Sequence, residues 1–280
     1  MIYLQNQMIK KLKTQGKSEM TRLVKDTREA LDIMPQVLYK YRTWEDERHK
    51  DLLRKGEVFF ASPDSFEDPY DCNLPTVFPE GIELFKYFYT VSLVLNNSFS
   101  EEEHFQFASY WAERTPIANP REREDIVSIF KKVFDSTHGV LSLCMSKNNE
   151  AMWEKYGGNH KGYCVGLDIP ILCQTQFLSG GGVVDYIKGI PKIDYILDTN
   201  DEQIQKQLFN KSDVWSFEEE YRLLKMNRGK ALSMRDRTMV LPRESVVEVY
   251  LGKNIEIESE QEIREIVSNR YPNAMVVKCL

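Results

Sequence analysis

The segment WSFEEEYRLL (residues 215–224) places three consecutive glutamates between aromatic side chains and follows them with an arginine. Side chains of a β-strand alternate between its two faces, so a strand here would put Glu218, Glu220 and Arg222 on one face and Glu219 on the other. In a helix, Glu218 and Arg222 would instead be an i,i+4 pair. Two interpretations stay open: a surface ladder of ion pairs, worth about 0–1 kcal/mol each, or the acid/base part of an active site.

Apolar alternation around this segment predicts further strands. The residues that fit a strand lie near 36–42, 57–62, 139–145, 163–169, 183–187, 217–224, 246–251 and 274–279. Helical periodicity marks residues 80–136, about 200–212, and 259–271. Because strands and helices follow one another without a regular βαβ repeat, we predict an α+β fold with a curved or split mixed β-sheet.

The chain changes character once, near Pro35. Residues 1–35 are polar and lysine-rich with spaced apolar residues, which predicts an N-terminal helical extension. Residues 36–280 contain no internal repeat, low-complexity tract or Pro/Ser-rich linker, so we expect a single α+β domain there. The helical stretch 80–136 is then an insertion between strands and not a separate domain.

The composition is that of a globular protein with a core. Of 280 residues, 42% are hydrophobic, and the net charge of −6 argues against nonspecific nucleic-acid binding by the whole chain. Five scattered cysteines without a C-x-x-C pair favour neither a disulfide framework nor a zinc site. No apolar run approaches the roughly 20 residues that span a bilayer, and the N-terminus lacks a signal-peptide cleavage pattern. We therefore predict a cytoplasmic protein with no membrane partner.

Three segments carry side chains suited to chemistry. LYKYR (residues 38–42) combines cationic and aromatic groups, and residues 141–169 place Trp153 and Tyr156 on one helix face. The third is the glutamate-rich segment quoted above. An acidic turn at residues 64–71 lacks the spacing of a calcium loop, so a capped turn is the preferred interpretation. The sequence contains no phosphate-binding glycine motif and no Gly-x-Ser-x-Gly motif.

Four segments, taken together, form a combination of motifs: LYKYR, FFASPDSFEDPYD, LSLCMSKNNEAMWEKYGGNHKGYCVGLDI and WSFEEEYRLLK. In combination they resemble a widespread bacterial family catalogued as domain of unknown function family 2971. The resemblance covers residues from about 36 to 280. The chain departs from it in one turn, where Glu67 replaces the asparagine of the family's usual Phe-Asn-Asp-Pro.

A more distant resemblance is to ADP-ribosyltransferases. These enzymes typically present an arginine or histidine on a first core strand, a serine or aromatic residue on a second, and a glutamate, often within Glu-x-Glu, on a third. Arg42, Ser142 and Glu220 occur in that order. The resemblance implies an ADP-ribosyltransferase-like fold and an enzyme that cleaves NAD at the nicotinamide–ribose bond without a metal.

The same resemblance implies roles for individual residues. Glu220 would stabilise the positive charge of an oxocarbenium-like state, and Glu218 would orient or deprotonate the acceptor. The side chains expected to bind NAD are Arg42 at the pyrophosphate, Trp153 or Tyr156 stacked on a ring, Tyr39, Ser142 and Arg222. The acceptor could be a protein or a nucleic acid, and homo-oligomerisation stays open. The kind of family that the chain resembles suggests that the protein is a bacterial toxin or an anti-phage effector.

Two other classes of function also stay open. A non-enzymatic ligand- or partner-binding module would use the aromatic-rich helices of residues 80–136 as an interface. A metal-dependent nuclease would need paired acids and a lysine around a metal, and Glu218, Glu220 and Lys225 are the candidates for that arrangement.

Overall fold

The computed structural model describes residues 35–227 and 229–280, so the helical extension predicted for residues 1–35 lies outside it except for Pro35. The strands of the described residues are, in chain order, β1 (Val37–Arg42), β2 (Glu57–Phe59), β3 (Thr76–Val77), β4 (His138–Cys144), β5 (Tyr163–Asp168), β6 (Gly180–Val183), β7 (Asp185–Ile187), β8 (Ile193–Asp194), β9 (Asn210–Ser212), β10 (Glu220–Met226), β11 (Thr238–Val240), β12 (Val246–Leu251) and β13 (Met275–Lys278). The α-helices are α1 (Glu47–Arg54), α2 (Gly81–Leu95), α3 (Glu101–Arg114), α4 (Pro120–Thr137), α5 (Glu150–Lys155), α6 (Ile169–Cys173), α7 (Asn200–Phe209), α8 (Met234–Arg237) and α9 (Ile257–Arg270). Short 3-10 helices span Pro63–Ser65, Pro116–Ala118, Asp213–Glu218 and Arg243–Ser245.

The main sheet contains seven strands of the described residues, in the order β13–β12–β5–β1–β4–β10–β6. Strands β12 and β13 run parallel at one edge, whereas β4 pairs antiparallel with both β1 and β10. Among the same residues, the two-stranded ladders β2–β11, β3–β8 and β7–β9 lie outside this sheet. The mixed sheet and its accompanying helices confirm the predicted α+β class.

Strands β5 and β10 are buried along most of their length. The first five residues of each, 163–167 and 220–224, are all buried. In β5 these residues are apolar except for one glycine, as expected for a strand covered on both faces. In β10 the buried run includes Glu220 and Arg222. A buried charge is tolerated only with a partner, so β10 carries charged groups that require partners inside the protein.

The segment predicted to be a strand from residue 217 folds differently over its first half. Asp213–Glu218 form a 3-10 helix, Glu219 has left-handed backbone angles (φ 44°, ψ 50°), and β10 begins at Glu220. The strand predicted over residues 217–219 is therefore wrong. The cause is a local turn, closed when the Glu219 N–H donates to a carbonyl three residues earlier. A pattern of alternating side chains does not reveal such a turn.

The predicted helical stretch 80–136 forms α2, α3 and α4. Helix α3 begins at a capping box, in which the Ser100 hydroxyl accepts from the Glu103 N–H and the Glu103 carboxylate accepts from the Ser100 N–H. Helices α2 and α3 contact each other through Phe85 and Phe105, whose ring centroids are 5.1 Å apart. No helix among the described residues combines the length and apolar character needed to cross a membrane.

Candidate functional site

A cavity of about 220 Å³ opens beside the central strands β1, β4 and β10. Its wall consists of Tyr39, Lys40, Tyr41 and Arg42 from β1; Ser142, Leu143 and Cys144 from β4; Ser65, Phe66, Glu67, Asp68 and Asp71 from the acidic turn; and Met152, Tyr156, Lys211, Trp215, Glu218 and Glu220. Ligand pockets commonly measure about 300–1,000 Å³. The cavity therefore encloses a small ligand, or one portion of a larger one.

Most of the side chains predicted to form a site line this one cavity. Arg42, Ser142, Tyr156 and Glu220 come from four separate parts of the chain and meet in its wall, and Tyr39 and Glu218 also line it. Antiparallel pairing explains part of this arrangement, because β4 lies between β1 and β10. The sequence order of the motif thus corresponds to a spatial cluster.

Two predicted binding residues do not line the cavity. Trp153 is only 3% exposed, and its ring packs edge-on against Tyr41, with centroids 5.1 Å apart, and stacks on His160 at 5.6 Å. Arg222 is fully buried beneath the cavity wall. Another aromatic residue that lines the cavity is Trp215.

Tyr39 lines the cavity with part of its side chain only. Its hydroxyl donates to Glu248 of β12 at 3.1 Å, and its ring lies edge-on to Tyr250, with centroids 6.4 Å apart. The polar end of Tyr39 is therefore engaged with β12 and is not free to bind a ligand in the cavity.

Arg222 uses all of its hydrogen-bond donors within the protein. Nε and Nη2 donate to the two carboxylate oxygens of Glu220 at 2.8 and 2.9 Å, and Nη2 also donates to Asp71 at 2.7 Å. Nη1 donates to Cys72 Sγ at 3.0 Å and to the Leu208 carbonyl at 2.8 Å. Since a guanidinium has five N–H groups, Arg222 is saturated and acts as an internal counter-charge, not as a direct ligand-binding group.

Lys211, which lines the cavity, is the second cation that contacts these carboxylates. Its ammonium lies 2.6 Å from Glu218, 3.0 Å from Asp71 and 3.5 Å from Glu220. Burial by itself would lower the pKa of Lys211, but attraction to these three carboxylates outweighs burial and raises it. With Arg222, the network holds two positive and three negative groups, one net negative charge at the base of the cavity.

Glu220 stays ionised in this network. Burial would raise its pKa, but the charge and hydrogen bonds of Arg222, the charge of Lys211 and a hydrogen bond from Ser142 lower the pKa to about 2. At neutral pH the group is therefore a carboxylate of fixed orientation. Such a group can stabilise a nearby positive charge, but it does not supply a proton.

Acid should weaken the fold through Glu220. Because the folded-state pKa lies below the ordinary carboxyl value of 4.5, its contribution to stability is present above about pH 4.5 and is lost as the pH falls through about 2. We expect the difference in free energy of unfolding between wild type and Glu220→Gln, measured by urea titration, to shrink from about pH 5 to pH 2. A difference that does not change with pH would contradict this assignment.

Glu218 is held by a tyrosine from another element. Tyr156 directly follows α5, and its hydroxyl donates to Glu218 Oε1 at 2.6 Å. The Lys211 ammonium donates to Glu218 Oε2. Burial and then the bond to Glu218 raise the pKa of Tyr156, so its phenol keeps its proton. Tyr156 therefore orients a carboxylate, a role different from the predicted stacking.

One known protein family matches a part of the chain that supplies several residues of this site. Residues 152–223 match the family described as Protein of unknown function (DUF2971). This DUF2971 segment includes Tyr156, Lys211, Glu218 and the Glu220–Arg222 pair, but neither β1 nor β4, and the match supports the family resemblance over these residues. No curated protein and no solved structure matched the chain.

Two residues of this charge network cannot be identified as site residues from the sequence. Lys211, within the DUF2971 segment, has no motif that distinguishes it from a surface lysine. Asp71 was interpreted as part of a capped turn, yet it is 6% exposed and contacts both cations of the network. Its one signal is position, because it directly precedes the buried Cys72 and lies three residues before the buried Leu74.

The same carboxylates do not form a metal site. Among residues 35–227 and 229–280, no group of three or more His, Cys, Asp or Glu side chains is arranged to hold a metal ion. The Lys211 ammonium lies among Asp71, Glu218 and Glu220, in the space where a cation bound by these three carboxylates would lie.

Proposed function

We propose that the protein binds NAD in this cavity and cleaves the nicotinamide–ribose bond, as an ADP-ribosyltransferase or an NAD glycohydrolase. The observation that carries the proposal is the meeting of Arg42, Tyr156, Glu218 and Glu220 around one cavity. This cavity has the Arg42 guanidinium on β1 and a group of carboxylates, including Glu220, at its base. A substrate with anionic phosphates and a reaction centre that becomes positive matches that polarity.

The chemistry uses the carboxylates in two ways. When the bond from ribose C1 to nicotinamide breaks, the leaving group takes the electron pair and the ribose becomes positively charged. Glu220, already ionised and held by Arg222, stabilises that charge without reorientation. Glu218 takes the proton of the attacking water or acceptor as its oxygen or nitrogen bonds to C1.

In this proposal, different parts of NAD bind in different places. A volume of about 220 Å³ holds the nicotinamide and ribose end, where bond cleavage occurs. The Arg42 guanidinium would bind the pyrophosphate through paired N–H groups. The adenosine would then lie outside the cavity.

A second candidate is a non-enzymatic ligand-binding module. It is favoured by the bonds of Glu220, since both of its oxygens already accept hydrogen bonds from Arg222. A carboxylate held this way can shape a binding site electrostatically without taking part in a reaction.

The decisive experiment incubates the full chain with NAD labelled in the nicotinamide ring, with and without magnesium. We expect nicotinamide release that does not require the metal. NAD binding without release would support the binding module and overturn the enzyme. Absence of both binding and release would overturn both candidates.

A further inference from the structure

The cavity contains a lysine that the proposed NAD chemistry does not use. Lys40 lines the cavity from β1, and its Nζ donates to the Ser142 carbonyl at 2.5 Å. Within the described part of the chain, Lys40 makes no ion pair with an aspartate or glutamate. Lys211 in the same cavity is surrounded by three carboxylates, so the two lysines have opposite environments.

The surroundings of Lys40 favour a neutral amine. Burial and then the nearby Arg42 charge lower the pKa of Lys40 well below its ordinary value, and attraction to Glu220 and Glu218 offsets only part of this effect. One N–H is directed to the Ser142 carbonyl, which orients the nitrogen. A neutral lysine amine in a desolvated site beside another cation is an activated nucleophile.

Arg42 lies two residues along the same strand and also has donors to spare. Its guanidinium lines the cavity, and its one hydrogen bond among the described residues is a long one, 3.4 Å from Nη1 to the Tyr41 carbonyl. A guanidinium with unused N–H groups binds phosphate or carboxylate through paired hydrogen bonds. The cavity therefore presents an amine nucleophile next to an anion-binding group.

We propose that Lys40 forms an imine with small aldehydes or ketones that carry a phosphate group, and that Arg42 binds the phosphate. The Lys40 nitrogen attacks the carbonyl carbon and forms a C–N bond, while the carbonyl oxygen takes up a proton. The resulting carbinolamine loses that oxygen as water and becomes a C=N bond. The amine supplies both hydrogens of the water, so the step needs no oxidant or reductant. This activity does not depend on NAD cleavage.

The test uses glyceraldehyde 3-phosphate and unphosphorylated glyceraldehyde as probes, with cyanoborohydride to trap the imine. The full chain is labelled at pH 7 and the modified lysines are located by peptide mass spectrometry. With glyceraldehyde 3-phosphate we expect Lys40 to be labelled at least ten-fold faster than the exposed Lys132 and Lys192. Equal labelling of all three lysines would overturn the proposal without involving any substituted protein.

Two variants separate the amine from the anion site. Lys40→Arg should abolish the fast adduct, and a fast adduct that persists on another residue would contradict the role of Lys40. Arg42→Gln should slow labelling by both probes, because the Arg42 charge helps to keep Lys40 neutral, but it should slow the phosphorylated probe about ten-fold more than glyceraldehyde. If Arg42→Gln slows both probes equally, Arg42 does not bind the phosphate. Because no NAD is present, failure here leaves the NAD proposal to its own assay.

Discussion

Arg222→Met should lower the free energy of unfolding by about 3–5 kcal/mol. The guanidinium is fully buried and donates to Glu220 on the same strand and to Asp71, which lies 151 residues earlier in the chain. Without it, these two carboxylates stay buried with Lys211 as their one remaining cation. The large cost comes from burying the Glu220 and Asp71 charges without the guanidinium. It does not measure the net stabilisation that these ion pairs give to the wild-type protein.

Urea titration of Arg222→Met against wild type measures this loss, and Arg264→Gln is the matched control. Arg264 pairs with Glu260 on the surface of α9 and its side chain is 44% exposed, so we expect a change below about 1 kcal/mol. Arg222→Lys should not restore stability, since an ammonium does not reproduce the paired bonds to Glu220. A loss of less than 1 kcal/mol in Arg222→Met would show that the network is not the main support of this region.

Glu220→Gln should reduce nicotinamide release from NAD at least about 100-fold, the scale on which preorganised electrostatic groups act. The amide has nearly the same shape but no negative charge to stabilise the ribose cation. The measurement is kcat and KM for nicotinamide release. A loss confined to kcat is the expected signature of a group that acts in the transition state.

Glu219→Gln is the matched control for this substitution. Glu219 is the adjacent residue, but it is exposed and its carboxylate accepts a hydrogen bond from Asn149. We therefore expect Glu219→Gln to release nicotinamide at the wild-type rate. Because Glu220 also pairs with Arg222, we expect Glu220→Gln to be less stable than wild type. The assay must therefore be run at a temperature at which circular dichroism shows both variants to be folded. An unchanged rate in folded Glu220→Gln would remove Glu220 from the mechanism.

The fold was predictable from the sequence where apolar periodicity is strong and local. The helices within residues 80–136 and the closing elements β12, α9 and β13 lie close to their predicted positions. The prediction failed at residues 217–219, where a 3-10 helix and the left-handed Glu219 replace the first half of the expected strand. Propensity for a strand was overridden there by a turn whose hydrogen bond is not encoded in side-chain alternation.

The sequence predicted part of the membership of the candidate site, but not the roles of its residues. The order Arg42, Ser142, Glu220 indicated residues that share a cavity, whereas Trp153 packs away from it and Tyr156 holds Glu218. Stacking was expected because an aromatic ring suggests it. Hydrogen-bond partners depend instead on which elements pack against each other.

The sequence by itself determined the α+β class, the helical stretch before β4, and the presence of closely spaced charges in residues 215–224. Only the tertiary structure decided that these charges lie inside and meet Asp71 and Lys211. The physical reason is that secondary structure follows from contacts within a few residues along the chain. Charge pairing and pKa depend on distance and burial in space, and the chain brings Asp71 to Arg222 across 151 residues.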